Sequence, residues 1–148
     1  MELFELIKQD HEKVKDIFEQ IEAGKSTAKK TRQNLFERLY KELDVHMRAE
    51  EDVVYPALKQ SEEANEKMLE AIEEHHVARL ILDELKKLEI DDERWEAKIM
   101  VLKENIEHHI EEEEGPIFEF LEDICEQDQL EDISKQFQAD KKQIKAKV

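Results

Sequence analysis

The sequence predicts an all-α fold: an antiparallel, up-down four-helix bundle with an extra C-terminal helix. Three observations carry this. Hydrophobic residues make up 39% of the 148 and charged residues 43%, with only two glycines and two prolines, a composition that suits long helices and not sheets. Apolar residues recur at steps of three and four through most of the chain, the spacing that lines one face of a helix. The stretches that interrupt this pattern are short, so successive helices should pack as antiparallel neighbours. No linker is rich enough in Gly, Ser or Pro to divide the chain. We therefore expect one domain over 1–148, with a bundle core at about 2–125 and the extra helix at about 129–146.

The first helix is predicted over 2–23, with Leu3, Ile7, His11, Val14, Phe18 and Ile21 on one stripe and Gly24 as its stop. Ser26 or Thr27 is placed to cap a second helix over about 28–58, whose stripe reads Leu35, Leu39, Leu43, His46, Glu50, Val53 and Leu58, with Pro56 near its end. Ser61 caps the third helix, with Glu62 and Glu63 favourable in its first turn. That helix runs to about Leu88 through Met68, Ile72, His75, Leu82 and Leu85. Asp91 or Asp92 caps the fourth, over about 92–114. Its stripe is Trp95, Ile99, Leu102, Ile106, His109, Glu113 and Ile117, at steps of 4, 3, 4, 3, 4 and 4. Gly115-Pro116 predicts a break or kink, after which residues 117–124 continue briefly and close the bundle end. The last helix carries Leu130, Ile133 and Phe137, ends in a lysine-rich tail, and is expected to pack on the outside.

Charge and cysteine content narrow the function. A formal net charge of -17 excludes binding to nucleic acid or anionic membranes through a basic patch, and it draws cations. The single cysteine, Cys125, excludes an intramolecular disulfide and reads as an inert buried thiol. There is no apolar run of about 18 residues and no signal-peptide pattern, so a cytoplasmic location is expected.

The apolar stripes carry polar residues at matching places. His11 and His46 are 35 residues apart, and His75 and His109 are 34 apart. Each second histidine is followed four residues later by glutamate, Glu50 and Glu113, and nine later by an aromatic ring, Tyr55 and Phe118. Val14, Ile17, Phe18 and Ile21 after His11 match Ala78, Ile81, Leu82 and Leu85 after His75. The chain thus reads as two copies of one helix pair, each giving His, His and Glu. Six such groups facing a core without partners would cost on the order of 10 kcal/mol, comparable to a whole domain's stability of roughly 5–15 kcal/mol. They must either satisfy one another in a hydrogen-bonded polar core or share a cation. Neutral imidazole with carboxylate suits iron, zinc or manganese, and a bundle interior is where carboxylate–histidine sites for two metals are built. His76 and His108, each beside a proposed ligand, point about 100° away around the helix and read as surface residues or as supports behind the ligands. Asp10, Glu51 and Glu74 are candidates to orient the histidines from behind. Tyr40, Tyr55 and Trp95 read as packing residues, and the run Glu111 to Glu114 apart from Glu113 as a solvated acidic face.

Taken jointly, several segments resemble the hemerythrin-like, HHE cation-binding domain. These are Asp10-His11, His46-Met47-Arg48-Ala49-Glu50-Glu51 with Tyr55-Pro56, Glu74-His75-His76, and His109-Ile110-Glu111-Glu112-Glu113. The resemblance covers about residues 2–125. It implies a four-helix bundle holding two non-haem iron ions, with zinc or manganese as substitutes. It further implies His11, His46, His75 and His109 as terminal ligands and Glu50 and Glu113 as bridging carboxylates. The oxygen-carrying members place another histidine four residues after the third-helix ligand, where this chain has Arg79. The resemblance therefore implies an iron position open to a diatomic or peroxide ligand, or one completed by another side chain such as Glu22 or Tyr40. The function expected is binding or sensing of dioxygen, nitric oxide or iron itself. The alternatives are an enzyme acting on peroxide or nitric oxide or repairing damaged iron–sulfur centres, and a bundle stapled by zinc.

Overall fold

In the computed structural model, which describes residues 2–24 and 28–147, the apolar stripes become the buried faces of helices. Helix α1 (Leu3–Ala23) buries Leu3, Ile7, His11, Val14, Phe18 and Ile21 as predicted, together with Asp10 and Ile17. Gly24 ends it with its N–H donating to the Gln20 carbonyl, at a φ of -93° that any residue adopts. The proposed caps Ser26 and Thr27 lie outside the described residues. Helix α2 (Lys29–Ala49) buries Leu35, Leu39, Leu43 and His46. Ser61 and Asp92 act as the expected caps: the Ser61 hydroxyl accepts the Ala64 N–H, and the Asp92 carboxylate accepts that of Arg94. They open α3 (Glu62–Lys87) and α4 (Glu93–Glu112).

Two segments depart from the expected helices. α2 does not continue as an α-helix to residue 58. It passes into a π turn over Glu50–Val54 and a 3-10 stretch over Tyr55–Gln60, with the Tyr55 N–H donating to the Glu50 carbonyl five residues back. The predicted break at Gly115-Pro116 is likewise a π turn, Glu113–Ile117, in which the Phe118 N–H donates to Glu113. The chain stays helical into α5 (Phe118–Ile124). Proline has no N–H to give and crowds the carbonyl four residues back, and the wider turn absorbs both defects. The two π turns begin at the two equivalent glutamates, so the repeat seen in the sequence extends to backbone geometry.

α1 pairs with α2 and α3 with α4, and α2 also meets α3. The buried apolar residues form two clusters. One holds Leu3, Ile7, Leu58, Met68, Ile117 and Leu121; the other holds Val14, Phe18, Leu39, Leu82, Trp95 and Leu102. On α1 and α3 the histidines fall between the two: His11 between Ile7 and Val14, His75 between Ala71 and Ala78. A polar layer therefore crosses the bundle between two oily ends. Each large side chain in those ends contributes roughly 1.5–3 kcal/mol, enough in sum to carry the layer. Helix α6 (Gln127–Lys147) lies against α1, α2 and the first π turn. It is not merely external, because Phe137 is 0% exposed within the first cluster. The described residues contain no strand.

Candidate metal centre

All six sequence-predicted residues meet in the polar layer. Glu50 and Glu113 are 0% exposed, and the four histidines are buried around them. Helix geometry explains the pairing, since residues four apart share a face: His46 and Glu50 leave α2 together, His109 and Glu113 leave α4 together. His46 Nε2 lies 3.2 Å from Glu50 Oε1, and His109 Nε2 lies 3.4 Å from Glu113 Oε2. Helices α1 and α3 supply the facing rings. His11 Nε2 is 3.0 Å from Glu113 Oε1, and His75 Nε2 is 3.3 Å from Glu50 Oε1. The result is two groups of four, His11–His46–Glu50–Glu113 and Glu50–His75–His109–Glu113. In each, one nitrogen or oxygen from every residue lies within 4.8 Å of the others. Each group can hold a metal ion, and the two glutamates belong to both.

Every one of the four histidines is also tied at its outer nitrogen to a carboxylate. His11 Nδ1 lies 2.7 Å from Glu114, His46 Nδ1 2.8 Å from Asp10, His75 Nδ1 2.6 Å from Glu51, and His109 Nδ1 2.7 Å from Glu74. An Nδ1–H that donates outward leaves the Nε2 lone pair aimed inward, which is the tautomer a metal needs. Asp10, Glu51 and Glu74 are the candidates for this duty that the sequence offers. Glu114 is an addition: it leaves the supposed acidic face to meet His11.

The inward atoms are short of partners. His46 Nε2 and Glu50 Oε2 are buried and have no hydrogen-bond partner, although buried polar atoms seldom go without one. His75 Nε2 and His109 Nε2 stand 3.1 Å apart, where two lone pairs repel unless a proton or a cation lies between them. A metal with ligands at about 2.1 Å sets neighbouring ligand atoms about 3.0 Å apart in an octahedral arrangement and about 3.4 Å in a tetrahedral one. The contacts of 3.0 to 3.4 Å around both pairs match those edges. The donor set and its spacing therefore fit a metal.

Electrostatics point the same way. Burial favours the neutral ring of His46, but the nearby Glu50 and Glu113 carboxylates and the hydrogen bond to Asp10 outweigh it and hold its pKa well above the usual histidine value. His109 is raised in the same sense, burial being outweighed by Glu113, Glu50 and Glu74. Burial alone would raise Glu113, yet contacts with Glu50, His109 and His11 hold it well below the usual carboxylate range. Glu50 is also lowered, with burial and the Glu113 charge opposing and His46 and His109 prevailing. This is a pocket that stabilises positive charge.

Tyr55 corrects the sequence reading. It is buried, as packing would require, but its hydroxyl enters the centre. It donates to Glu113 Oε2 at 2.5 Å and to Glu50 Oε1 at 3.3 Å, and stands 3.4 and 3.5 Å from the Nε2 atoms of His75 and His109. The π turn puts it there. Five α-helical residues at about 100° each would leave Tyr55 some 140° off the Glu50 face, whereas a turn closed between residues five apart brings them together. Its counterpart Phe118 stacks on Phe4 at 4.3 Å instead, so the hydroxyl breaks the symmetry of the repeat. Arg79 does not enter the centre. It lies half-buried on Glu51 at 2.9 Å. Glu22 is held by Lys103 and Tyr40 by Asp83, so neither reaches the centre. His76 is exposed, and His108 is 62% exposed near Glu74.

Comparisons with known proteins bear on the fold and the family. In a crystal structure, a hemerythrin HHE cation-binding domain-containing protein from Mycobacterium kansasii superimposes with a TM-score of 0.84 at 26% identity, over 97% of this chain and 86% of that one. A DNA nickase of Nostoc sp. (strain PCC 7120) is 24% identical over 148 residues, all of this chain but 41% of that protein. This chain thus spans less than half of the length of that protein. The family model for the hemerythrin HHE cation-binding domain matches residues 2–121, which contain every residue of the centre, and the chain belongs to that family.

Proposed function

We propose that this chain holds two non-haem iron ions and uses them to bind or sense a small ligand, such as dioxygen or nitric oxide, or to sense iron itself. One observation carries the reading: two pairs of inward-facing histidines share the same two fully buried glutamates. His11 and His46 would hold one ion, His75 and His109 the other, and Glu50 and Glu113 both. Bound iron supplies a one-electron redox change and an open position for a diatomic or peroxide ligand. The chain supplies the rest. Carboxylates on the outer ring nitrogens hold each neutral ring in the tautomer whose inner nitrogen can bind metal, and the two apolar clusters keep water from the layer on either side. Imidazole and carboxylate without thiolate suit iron, with zinc and manganese as competitors. Nucleic acid is no partner in this reading, because a net charge of -17 opposes phosphate contacts.

A second reading is an enzyme acting on peroxide, and Tyr55 favours it. Burial and the charges of Glu113 and Glu50 hold its pKa well above the usual tyrosine value. The hydroxyl therefore keeps its proton at neutral pH, beside the carboxylates, and can donate a hydrogen bond to a peroxide held there. Metal content per chain and an optical spectrum on one sample of protein from iron-replete cells test the common ground. Two irons with ferric charge-transfer bands support it; zinc, or under one metal without bands, refutes it. Stoichiometric binding without consumption then supports the first reading, and catalytic loss of peroxide the second.

A further inference from the structure

The two metal positions are held from behind in different ways. His75 is backed by Glu51, and Glu51 by Arg79. Arg79 sits four residues from His75 on α3 itself, so this run of side-chain contacts passes through no residue of α6. His46 is backed by Asp10, and Asp10 by Lys141 of α6, whose Nζ reaches both carboxylate oxygens at 2.6 and 2.7 Å. This second pairing is the more buried, with side-chain exposures of 15% for Lys141 and 4% for Asp10. The His46 ring also meets Phe137 of α6 edge-on, with ring centroids 6.0 Å apart and planes at 88°. Lys141 lies over that same ring at 5.4 Å. Thus α6 orients His46 through Asp10 and closes one side of it with a fully buried ring, although α6 begins at Gln127, after the matched family region ends at residue 121.

We propose that α6 is a positioning element of the metal centre, with Lys141 and Phe137 fixing His46, so that the His11/His46 position depends on these two side chains of α6 and the His75/His109 position does not. The inference rests on the two-metal reading above. Without Lys141, the buried Asp10 loses its cation and its fixed orientation, and the His46 ring loses the partner that sets its angle. Removing a group that orients a metal-binding histidine costs about 10- to 100-fold in affinity. Linkage makes the effect mutual: if docked α6 tightens one metal position, metal there tightens α6.

The test uses the full chain and cobalt(II), whose visible bands report each position. Wild type should take two ions. Lys141→Met should keep one at full affinity and weaken the other about 10- to 100-fold, altering only that ion's bands. Lys141→Arg should restore both, and Lys142→Met, on the exposed side of α6, should match wild type. Amide exchange of wild-type α6 should slow when metal is added, a readout that stands even if Lys141→Met fails to fold. Two ions bound by Lys141→Met at wild-type affinity, equal weakening of both, or α6 exchange indifferent to metal would overturn the proposal alone. Fewer than two ions in wild type would overturn the two-metal reading and the proposal with it.

Discussion

Replacing Glu113 by glutamine is the sharpest perturbation of the centre. The change keeps volume and shape but removes the charge, and it turns one acceptor oxygen into an NH2 donor. Glu113 is 0% exposed, so no water can replace what is lost. Its oxygens face His11 at 3.0 Å, His46 at 3.7 Å and His109 at 3.4 Å, and accept from Tyr55. It therefore serves both histidine pairs. Removing one partner from a buried charge pair costs about 3–5 kcal/mol. At about 1.4 kcal/mol per tenfold, that is roughly two to three and a half orders of magnitude in affinity. Glu113→Gln should emerge from gel filtration with little metal at either position, and chelator competition should show both weakened. Glu112→Gln is the control, since Glu112 is engaged with Lys67 at the edge of the site. Retention of both ions by Glu113→Gln would refute the assignment, and loss of only one would refute the shared role. Circular dichroism on the same sample separates loss of metal from loss of fold.

Four further outcomes are expected. In protein stripped of metal, His46 and His109 hold protons above the usual histidine value of 6.5. Incoming metal must displace them, so affinity should fall about tenfold per pH unit for each proton released as pH drops. Chelator competition at several pH values measures this, and a flat profile would contradict it. The raised histidines stabilise the stripped protein fully below 6.5 and lose that contribution as pH rises through their folded values. The lowered glutamates stabilise it above 4.5 and lose that contribution as pH falls through theirs. Denaturation of stripped protein should therefore show greatest stability between these limits. Phe137→Ala should cost about 3–5 kcal/mol in denaturant unfolding, and a loss below about 1 kcal/mol would mean that α6 is not part of the core. His108→Ala should leave metal content unchanged, and a loss of metal would overturn the choice of His109 over its exposed neighbour.

What sequence alone determined here is what helical periodicity can encode. A residue's face follows from its spacing to its neighbours, so spacing suffices to turn His11, His46, His75, His109, Glu50 and Glu113 inward. Helix caps are equally local, and Ser61 and Asp92 need only the residue two or three places on. The π turns are half legible: Pro56 and Pro116 signal a disturbance, but proline marks a break and a widened turn alike. Tyr55 therefore reads as packing, because α-helical spacing turns it away from Glu50. An aromatic nine residues after both His46 and His109 is the available clue to its place in the site.

Tertiary structure decided the contacts made at a distance. Glu114 reaches His11 across 103 residues of chain, and Lys141 reaches Asp10 across 131. No periodicity within either helix announces such a pairing, because what a carboxylate or ammonium meets depends on how neighbouring helices are rotated and stacked. Arg79 shows the same limit. Its place in the sequence resembles a ligand's, and its actual partner, Glu51, comes from the first π turn, 28 residues earlier in the chain. Periodicity thus specifies which side chains face inward. Packing of the helices specifies which outer partner holds each histidine, and so makes two halves of a repeated sequence into unequal halves of one site.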